Sequence, residues 1–359
     1  MNKDFKILVI NPGSTSTKMA VYLNEVPEYS VSIPHSREEI SRFPTVWDQY
    51  DYRKSAILNE LESQGYPVAD MDIIVCRGGN TAPVEGGIYE ITPGALEIMK
   101  SGKYGSHPAG VGNLISYELG REYGMPVITC DPPITDEFCD YARYTGLPEL
   151  TRLSSFHALN QKATARKVAA SLGKTYSDSR MVVVHMGGGI SVGAHLNGRV
   201  IDVNNALDGD GPYSPERAGT LPNADLVRMC YSGKYSEAEM LKKMTGKGGL
   251  VAYLGTSDGL LIEKIIDEGN IEAKNVYMAM AYQTVKEIGA MAAVLDGRVD
   301  AIALTGSLAY SEILMDYIKD KVSFIAPIYV IPGENEMDAL ASGAVRYLTG
   351  EEQPRKYNY

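Results

Sequence analysis

Apolar and polar positions alternate along the chain in blocks that predict an α/β protein. Several apolar runs of only four to six residues, rich in Val and Ile, are too short for helices and indicate buried strands. They lie at 7–10, 73–76, 127–130, 180–185, 301–305 and 328–331. Longer stretches with helical spacing separate them, at 37–64 (interrupted by Pro44), 94–100, 111–123, 154–172, 223–232, 236–245, 257–268, 273–295, from 310 onward, and 336–348.

The first apolar run leads into a predicted hairpin. Small and hydroxylated residues at 11–17 interrupt the run, Lys18 follows, and 19–23 resumes as a second strand. The tip offers backbone N–H groups around Gly13, several hydroxyls and one lysine charge, which are the groups that hold a phosphate. No Gly-Lys-Ser/Thr follows and no helix begins there, so the tip is not a Walker P-loop. An ordinary polar hairpin tip is an equal alternative.

The same plan returns in the second half of the chain. A strand at 180–185 enters the loop 186–189, a second strand follows at 190–196, and Asn197-Gly198 is a strong hairpin turn before a third strand at 199–203. Residues 6–33 and 180–204 therefore share one order of strand, glycine loop, strand, turn and strand. This repetition predicts two duplicated domains, with two unrelated hairpins as the alternative.

Composition narrows the class of protein. A chain of 359 residues favours two domains, and its net charge of -11 argues against a nucleic-acid binder. The four cysteines form no Cys-x-x-Cys pair, which favours free thiols in a reducing compartment. Because no charged leader precedes an apolar segment and no apolar run approaches 18 residues, we expect no membrane segment and a cytoplasmic location.

Charged residues follow two of the predicted strands. Arg77 comes directly after 73–76 and before two glycines, and Asp131 comes directly after 127–130, at the strand ends where α/β sheets place ligands. The residues themselves leave alternatives open. Arg77 could form an ion pair at a strand end, and Asp131 could cap a turn before two prolines.

The octapeptide from Asn11 to Lys18, the hairpin plan and its repeat at 182–196 resemble the acetate and butyrate kinases, with Pro12 closer to the butyrate kinases. These enzymes are acetokinases of the sugar kinase, heat-shock chaperone and actin superfamily. The resemblance implies two duplicated actin-like ATPase domains, ribonuclease H-like, with an interdomain active-site cleft. It assigns residues 1–152 plus 337–359 to the N-terminal domain and 153–336 to the C-terminal domain.

The resemblance also implies Mg²⁺- and ATP-dependent, reversible phosphorylation of butyrate to butyryl phosphate by direct in-line transfer. It assigns catalytic roles to Arg77, Asp131, His157 and Arg217, and acid binding to Gly79, His107 and Phe156. It assigns phosphate or ATP binding to Asn11, Ser14, Ser16, Lys18, Gly187, Gly188, Gly189, Gly306 and Ser307. Asp131 and Glu336 are the implied metal ligands, with Glu334 as the alternative register. Gly188 stands where acetate kinases have asparagine.

The size of the acid can be argued from the same comparison. Where acetate kinases have bulky aliphatic residues, this chain has Gly78 and Gly79 after Arg77, and Ser106 before His107. Smaller walls predict a roomier pocket, and each buried CH₂ of substrate gains about 0.8 kcal/mol. We therefore expect butyrate or a branched relative as substrate. The resemblance also implies a homo-oligomer formed through the second domain, where the helix 273–295 could pack.

Other functions fit parts of the pattern. The protein could phosphorylate isobutyrate, propionate or acetate. It could instead be an actin-like or chaperone-like regulatory ATPase, or a sugar kinase in which Asp131 is the base on a hydroxyl. Two arginines favour the carboxylate kinase, because planar and permanently charged guanidinium groups can bring two anions together.

Overall fold

Each half of the chain builds a mixed sheet around a central buried strand. The computed structural model describes residues 4–207 and 209–357; residues 1–3, 208, 358 and 359 lie outside the described part. The chain separates into two units, the first up to Thr135 and again from Asn335, the second from Asp136 to Glu334. The first boundary lies N-terminal to the expected residue 152, and the second falls beside the expected 336.

The strands, in chain order, are β1 (Lys6–Pro12), β2 (Ser16–Leu23), β3 (Val26–Pro34), β4 (Ile73–Cys76), β5 (Ile88–Glu90), β6 (Val127–Cys130), β7 (Arg180–Met186), β8 (Ile190–Leu196), β9 (Arg199–Val203), β10 (Ala301–Gly306) and β11 (Ile328–Pro332). The helices are α1 (Arg37–Ile40), α2 (Tyr50–Ser63), α3 (Pro93–Ser101), α4 (Pro108–Tyr123), α5 (Ala158–Ser171), α6 (Asn223–Cys230), α7 (Glu237–Met244), α8 (Gly249–Leu254), α9 (Gly259–Asp267), α10 (Ile271–Val294), α11 (Glu312–Val322) and α12 (Glu336–Leu348).

The two sheets share one topology, which confirms the predicted duplication. The first has the order β3-β2-β1-β4-β6-β5 and the second β9-β8-β7-β10-β11. In each, the first strand pairs antiparallel with its hairpin partner and parallel with the fourth strand of the plan. The strand β5, which lies antiparallel at the edge of the first sheet, has no counterpart among the described residues of the second.

Helices cover both faces of the second sheet, which explains why its central strand is apolar throughout. Val182 and Val184 of β7 face a core that contains residues of α10 and α11. Met181 and Val183 face the opposite way, against Ala165 and other residues of α5. A strand that is buried on both faces shows no polar alternation.

The last helix returns to the first unit. Helix α12 packs on β1, β4 and β6, and its Gly343 lies directly against the buried Cys130. The smallest residue type is needed there because a Cβ would overlap the Cys130 sulfur. The C-terminal end of the chain thus supplies one layer of the N-terminal unit.

Helix starts differ most from the sequence prediction. Helix α4 begins at Pro108 rather than 111, because His107 is its N-cap and proline is well suited to the first helical position. Helix α5 begins at Ala158 rather than 154, which leaves Phe156 and His157 in the preceding segment. No helix covers 41–46 around Pro44, and the short elements β5 and α8 were not predicted.

The long helix α10 is largely a core element of its own unit. Met280 and Met291 are buried within the unit, together with Tyr277 and Ile288. Association of subunits therefore stays a prediction. In the described residues, no helix is both long and apolar enough to span a membrane.

Two helical glycines provide a matched test of the packing of α12. Gly343→Ala should destabilise the protein by about 1–3 kcal/mol, because the methyl group displaces Cys130. Gly289→Ala on α10 meets open space, so it should be neutral or stabilising by about 0.5–1 kcal/mol. Urea unfolding of both variants measures the difference. Equal midpoints would contradict the tight contact of α12 with the sheet.

Candidate active site

Three predicted residues of the first unit meet at the carboxyl ends of its parallel strands. Asn11 lies near the end of β1, Arg77 follows β4, and Glu336 begins α12. The Glu336 carboxylate accepts a hydrogen bond from Asn11 Nδ2 at 2.9 Å and lies 3.4 Å from Arg77 Nη1. The Arg77 and Glu336 side chains keep 33% and 20% of their surface exposed. An anion in solution can therefore reach this guanidinium.

The backbone of Arg77 is held on both sides. Its N–H donates to Ile10 O at 3.1 Å, and its carbonyl accepts from Asn113 Nδ2 at 2.8 Å. Asn113 is fully buried on α4 and also donates to Ala109 O. The guanidinium thus projects from a fixed point at the end of the sheet.

Asp131 directly follows β6 and is buried at the end of this strand. Its side chain is only 1% exposed and accepts from Gly87 N–H at 2.9 Å, while its own N–H donates to Gly87 O. Its backbone has a φ of 40°, in the left-handed region that Asp tolerates. Asp131 therefore ties the segment before β5 to the end of β6. Its roles in catalysis and metal binding stay predictions.

His107 is a neutral donor in this structure. Its Nδ1 accepts from Ala109 N–H at 3.1 Å, so a neutral ring carries its proton on Nε2. Burial lowers the pKa of His107, and the positive charges of Arg77 and Arg53 lower it further against the opposing charge of Glu336.

The tip of the first hairpin is open to solvent. Ser14, Thr15 and Lys18 are exposed, Ser16 is half-buried, and Thr17 is buried. Lys18 is opposite Asn11 in the ladder between β1 and β2. Two predicted phosphate-binding residues, Asn11 and Lys18, are therefore neighbours across this ladder, and Asn11 also contacts Glu336.

The second unit contains a cavity of about 620 Å³, within the range of pockets for small molecules. Its walls bring together three predicted residues, Gly187, Gly188 and Ser307. The other lining residues are Pro215, Glu216, Ser257, Asp258, Gly259, Leu260, Glu263, Tyr277, Leu308, Tyr310 and Ser311. Gly306 precedes Ser307 with a φ of 94° and exchanges two backbone hydrogen bonds with Gly333.

Arg217 crosses the glycine loop at Gly189. A Cβ on Gly189 would overlap the Arg217 guanidinium in its present position, so a larger residue there would displace the arginine side chain. Nη1 of Arg217 donates to Ala206 O. The neighbouring Gly188 is exposed, and its carbonyl accepts from Ser214 Oγ at 2.7 Å.

His157 and His185 stack with ring centroids 3.8 Å apart. Asn160 donates from Nδ2 to the carbonyls of Gly333 and Glu334, so its Oδ1 faces His185 Nδ1 at 2.7 Å. His185 therefore donates from Nδ1. Burial, reinforced by the charge of Arg217, lowers the pKa of His185 to about 3.

The partners of His157 impose the opposite tautomer. Gln161 Nε2 donates to both Ser191 O and Ser191 Oγ, at 3.0 and 2.7 Å. The buried Ser191 hydroxyl then has its proton available for His157 Nδ1, 2.9 Å away. A neutral His157 thus carries its proton on Nε2. Sequence reasoning identified neither residue: Ser191 lies 34 positions from His157 along the chain, and Gln161, one helical turn after His157, contacts it only through Ser191.

Two residues predicted to bind the acid, Gly79 and Phe156, are packed against other residues of the protein. A Cβ on Gly79 would lie 2.7 Å from Met99 Sδ, and one on Gly78 would lie 2.7 Å from Pro132 Cβ. The glycines therefore permit close packing, and the extra room expected beside Arg77 is occupied. Phe156 is 7% exposed and packs in an apolar cluster with Phe138 and Val203. Contact of Phe156 with a substrate stays a prediction.

Comparison with known proteins gives the family. Residues 142–318 match the Acetokinase family. The chain is 49% identical over 353 residues to butyrate kinase 2 of Clostridium acetobutylicum, covering 98% of this chain and 99% of that protein. The chain belongs to the acetokinase family.

Solved structures share the acetokinase fold. An acetate kinase from Porphyromonas gingivalis has a TM-score of 0.78 at 19% identity, covering 96% of this chain and 100% of that chain. A propionate kinase from Francisella tularensis has a TM-score of 0.74 at 16% identity, covering 94% and 98%. These identities are low, so the two structures inform the fold alone. They agree with the predicted pair of actin-like domains.

His185 should make this acetokinase sensitive to acid. Its folded-state pKa lies below that of the unfolded chain, so below about pH 6.5 the unfolded state binds a proton that the folded state excludes. His185 should therefore lower the free energy of unfolding by about 1.4 kcal/mol for each pH unit between about pH 6.5 and its folded-state pKa of about 3. Above about pH 6.5 it should have no such effect.

Replacing this histidine tests the assignment. His185→Gln should lower stability at pH 7.5 through lost packing but lose less stability than the wild type between pH 6.5 and 5. Urea unfolding at each pH gives the two slopes, and identical slopes would show that His185 accepts a proton in the folded protein.

Proposed function

We propose that this acetokinase is a butyrate kinase that transfers the γ-phosphoryl group of ATP reversibly to the carboxylate of butyrate. The observation that carries the proposal is the 49% identity to a butyrate kinase over nearly the whole of both chains. The site geometry supports it with a partly exposed arginine at strand ends in one unit and a cavity beside a glycine loop in the other.

The chemistry requires little acid–base catalysis. A carboxylate is already ionised near neutral pH, so the protein must bring together two anions and hold them in line. Arg77 is suited to this task because its guanidinium is planar, always charged and anchored at the backbone. Arg217 would supply a second guanidinium, and His157 a neutral Nε2–H donor, to the transferring phosphoryl group.

The nucleotide would bind in the second unit. Its cavity is large enough for adenosine, and Gly187, Gly188 and Ser307 in its wall offer close approach of backbone to phosphate. Gly189 and Gly306 would allow the backbone of these loops to adopt the conformation seen in the structure. In the first unit, Asn11, Ser14, Ser16 and Lys18 would hold the transferring phosphoryl group.

The carboxylates present fit Mg²⁺, which takes one or two of them together with phosphate oxygens and water. Glu336 is the better candidate, because it is partly exposed and already lies beside Asn11 and Arg77. Asp131 could act through water, and the exposed Glu334 is the alternative in the second unit. The metal would neutralise phosphate charge.

The choice of acid follows from the relatives rather than from the glycines. Because Met99 and Pro132 fill the space beside Gly79 and Gly78, these two positions do not favour a longer chain. Butyrate remains the proposed substrate, with propionate, isobutyrate and acetate as the acids to compare.

An acid panel tests the function directly. The purified protein, incubated with Mg²⁺, ATP and each acid, should form acyl hydroxamate after addition of hydroxylamine, with the highest kcat/KM for butyrate. A clear optimum at acetate or propionate would contradict butyrate as substrate. ATP hydrolysis without acyl phosphate would indicate a regulatory ATPase, and glucose belongs in the panel to exclude a sugar kinase.

The role of Arg77 is tested by substitution. Arg77→Ala should lower kcat with saturating ATP by about 10²–10³, the usual cost of one donor to a developing oxyanion. It should also weaken use of the carboxylate, whereas Lys18→Ala should mainly perturb use of ATP. Arg143, another partly buried arginine paired with Asp136, is the control, and Arg143→Ala should retain turnover. Near-normal turnover of Arg77→Ala would refute the assignment.

A further inference from the structure

A buried arginine lies directly beneath the hairpin tip of the first unit. Arg53 of α2 is 0% exposed, yet neither the acetokinase resemblance nor the sequence pattern assigns it a role. Burying a cation is costly unless its donors are satisfied. The partners of Arg53 therefore indicate what this charge does.

The guanidinium donates almost entirely to the tip. Nη2 donates to Gly13 O at 3.0 Å and to Ser14 O at 3.4 Å. Nη1 donates to Ser16 O at 3.2 Å and to Thr17 Oγ1 at 2.9 Å. Nε is held by the buried Gln49, whose Oε1 accepts at 2.9 Å. One side chain thus binds three backbone carbonyls of the loop.

These contacts determine which way the loop amides point. In a trans peptide the C=O and the following N–H point in opposite directions. Because the carbonyls of Gly13 and Ser14 turn inward to Arg53, the N–H groups of Ser14 and Thr15 turn outward. Within the described residues, neither N–H donates to a protein acceptor, and both residues are exposed. Adjacent outward N–H groups form an anion-binding nest.

The charge of Arg53 is also uncompensated. No carboxylate in the described part of the chain forms an ion pair with it, and every acceptor that it contacts is neutral. Its field reaches the Arg77 region, because Arg53 and Arg77 both lower the pKa of His107. A buried cation without a counterion stabilises an anion bound above it.

We propose that Arg53 is a positioning residue for the transferring phosphoryl group: it orients the Ser14 and Thr15 amides outward and places a fixed positive charge behind them. The inference rests on the proposed kinase function and adds to it. Lys18 and the hydroxyls contact the phosphoryl group in that proposal, whereas Arg53 acts through the backbone of the loop.

The reversible reaction supplies a readout that a structural role would not move. ATP and butyryl phosphate carry the transferring phosphoryl group, and ADP and butyrate lack it. Arg53→Met should therefore raise KM for ATP and for butyryl phosphate by about 10- to 100-fold, the cost of losing charged hydrogen bonds. KM for ADP and for butyrate should change less than about threefold. Similar factors in both directions leave the equilibrium constant unchanged, as thermodynamics requires.

Two further variants keep the test decisive. Arg53→Lys keeps the charge but cannot span three carbonyls, so it should show the same pattern with an increase of about tenfold. It also serves if Arg53→Met does not fold. Arg346→Met is the matched control, because Arg346 is a mostly buried arginine of the same unit that binds Glu352 instead. Urea unfolding places all variants on one stability scale.

The outcomes separate the two proposals. If the wild type forms no acyl phosphate from any acid, the kinase function fails and this inference fails with it. If the wild type is active but the Arg53 variants change all four KM values equally, or only in proportion to lost stability as Arg346→Met does, the positioning role alone is overturned. A selective rise for the two phosphoryl donors establishes it.

Discussion

The parallel pairing of β1 with β4, and of β7 with β10, is the constraint on which both units depend. A parallel neighbour on one side and an antiparallel hairpin on the other bring a loop and a second strand end to the same edge of the sheet. The polar groups that follow these strands are therefore neighbours without being close in sequence. Arg77 and Asn11 meet at one such edge, and the glycine loop and Gly306 meet at the other.

Two positively charged side chains lie near the edge of the first sheet. Arg77 shares Glu336 with Asn11, so the guanidinium is held in place while part of its surface stays open. Arg53 adds a second cation beneath the hairpin tip, and all of its hydrogen-bond acceptors are neutral oxygens. A chain with a net charge of -11 thus places two guanidinium groups near one edge of this sheet.

The second unit relies more on backbone shape and on fixed tautomers. Gly189 lets Arg217 cross the loop, and Gly306 permits close approach of two strand ends. The side-chain amides of Asn160 and Gln161 are oriented by hydrogen bonds to backbone carbonyls. They determine which ring nitrogen carries the proton in the two stacked histidines, His185 directly and His157 through Ser191. Such a network positions neutral donors, which suits a reaction that moves charge between oxygens without needing a base.

The sequence by itself predicted most of the strands and the duplication, and the family resemblance supplied the candidate site residues. Period-two and buried apolar runs are local signals, and the repeat of strand, glycine loop and strand at 6–33 and 180–204 was visible without a structure. The grouping of Arg77 with Glu336 could be expected only through the family resemblance, because 259 residues separate them along the chain.

Only the tertiary structure decided what surrounds these residues. Gly78 and Gly79 suggested an open pocket, but Pro132 and Met99 come from other elements and fill it. Arg53 lay in an ordinary helical stretch with no feature to mark it, and Asp131 became a buried acceptor. Composition and spacing report what a residue can do, whereas close packing between distant segments decides which partner it finds.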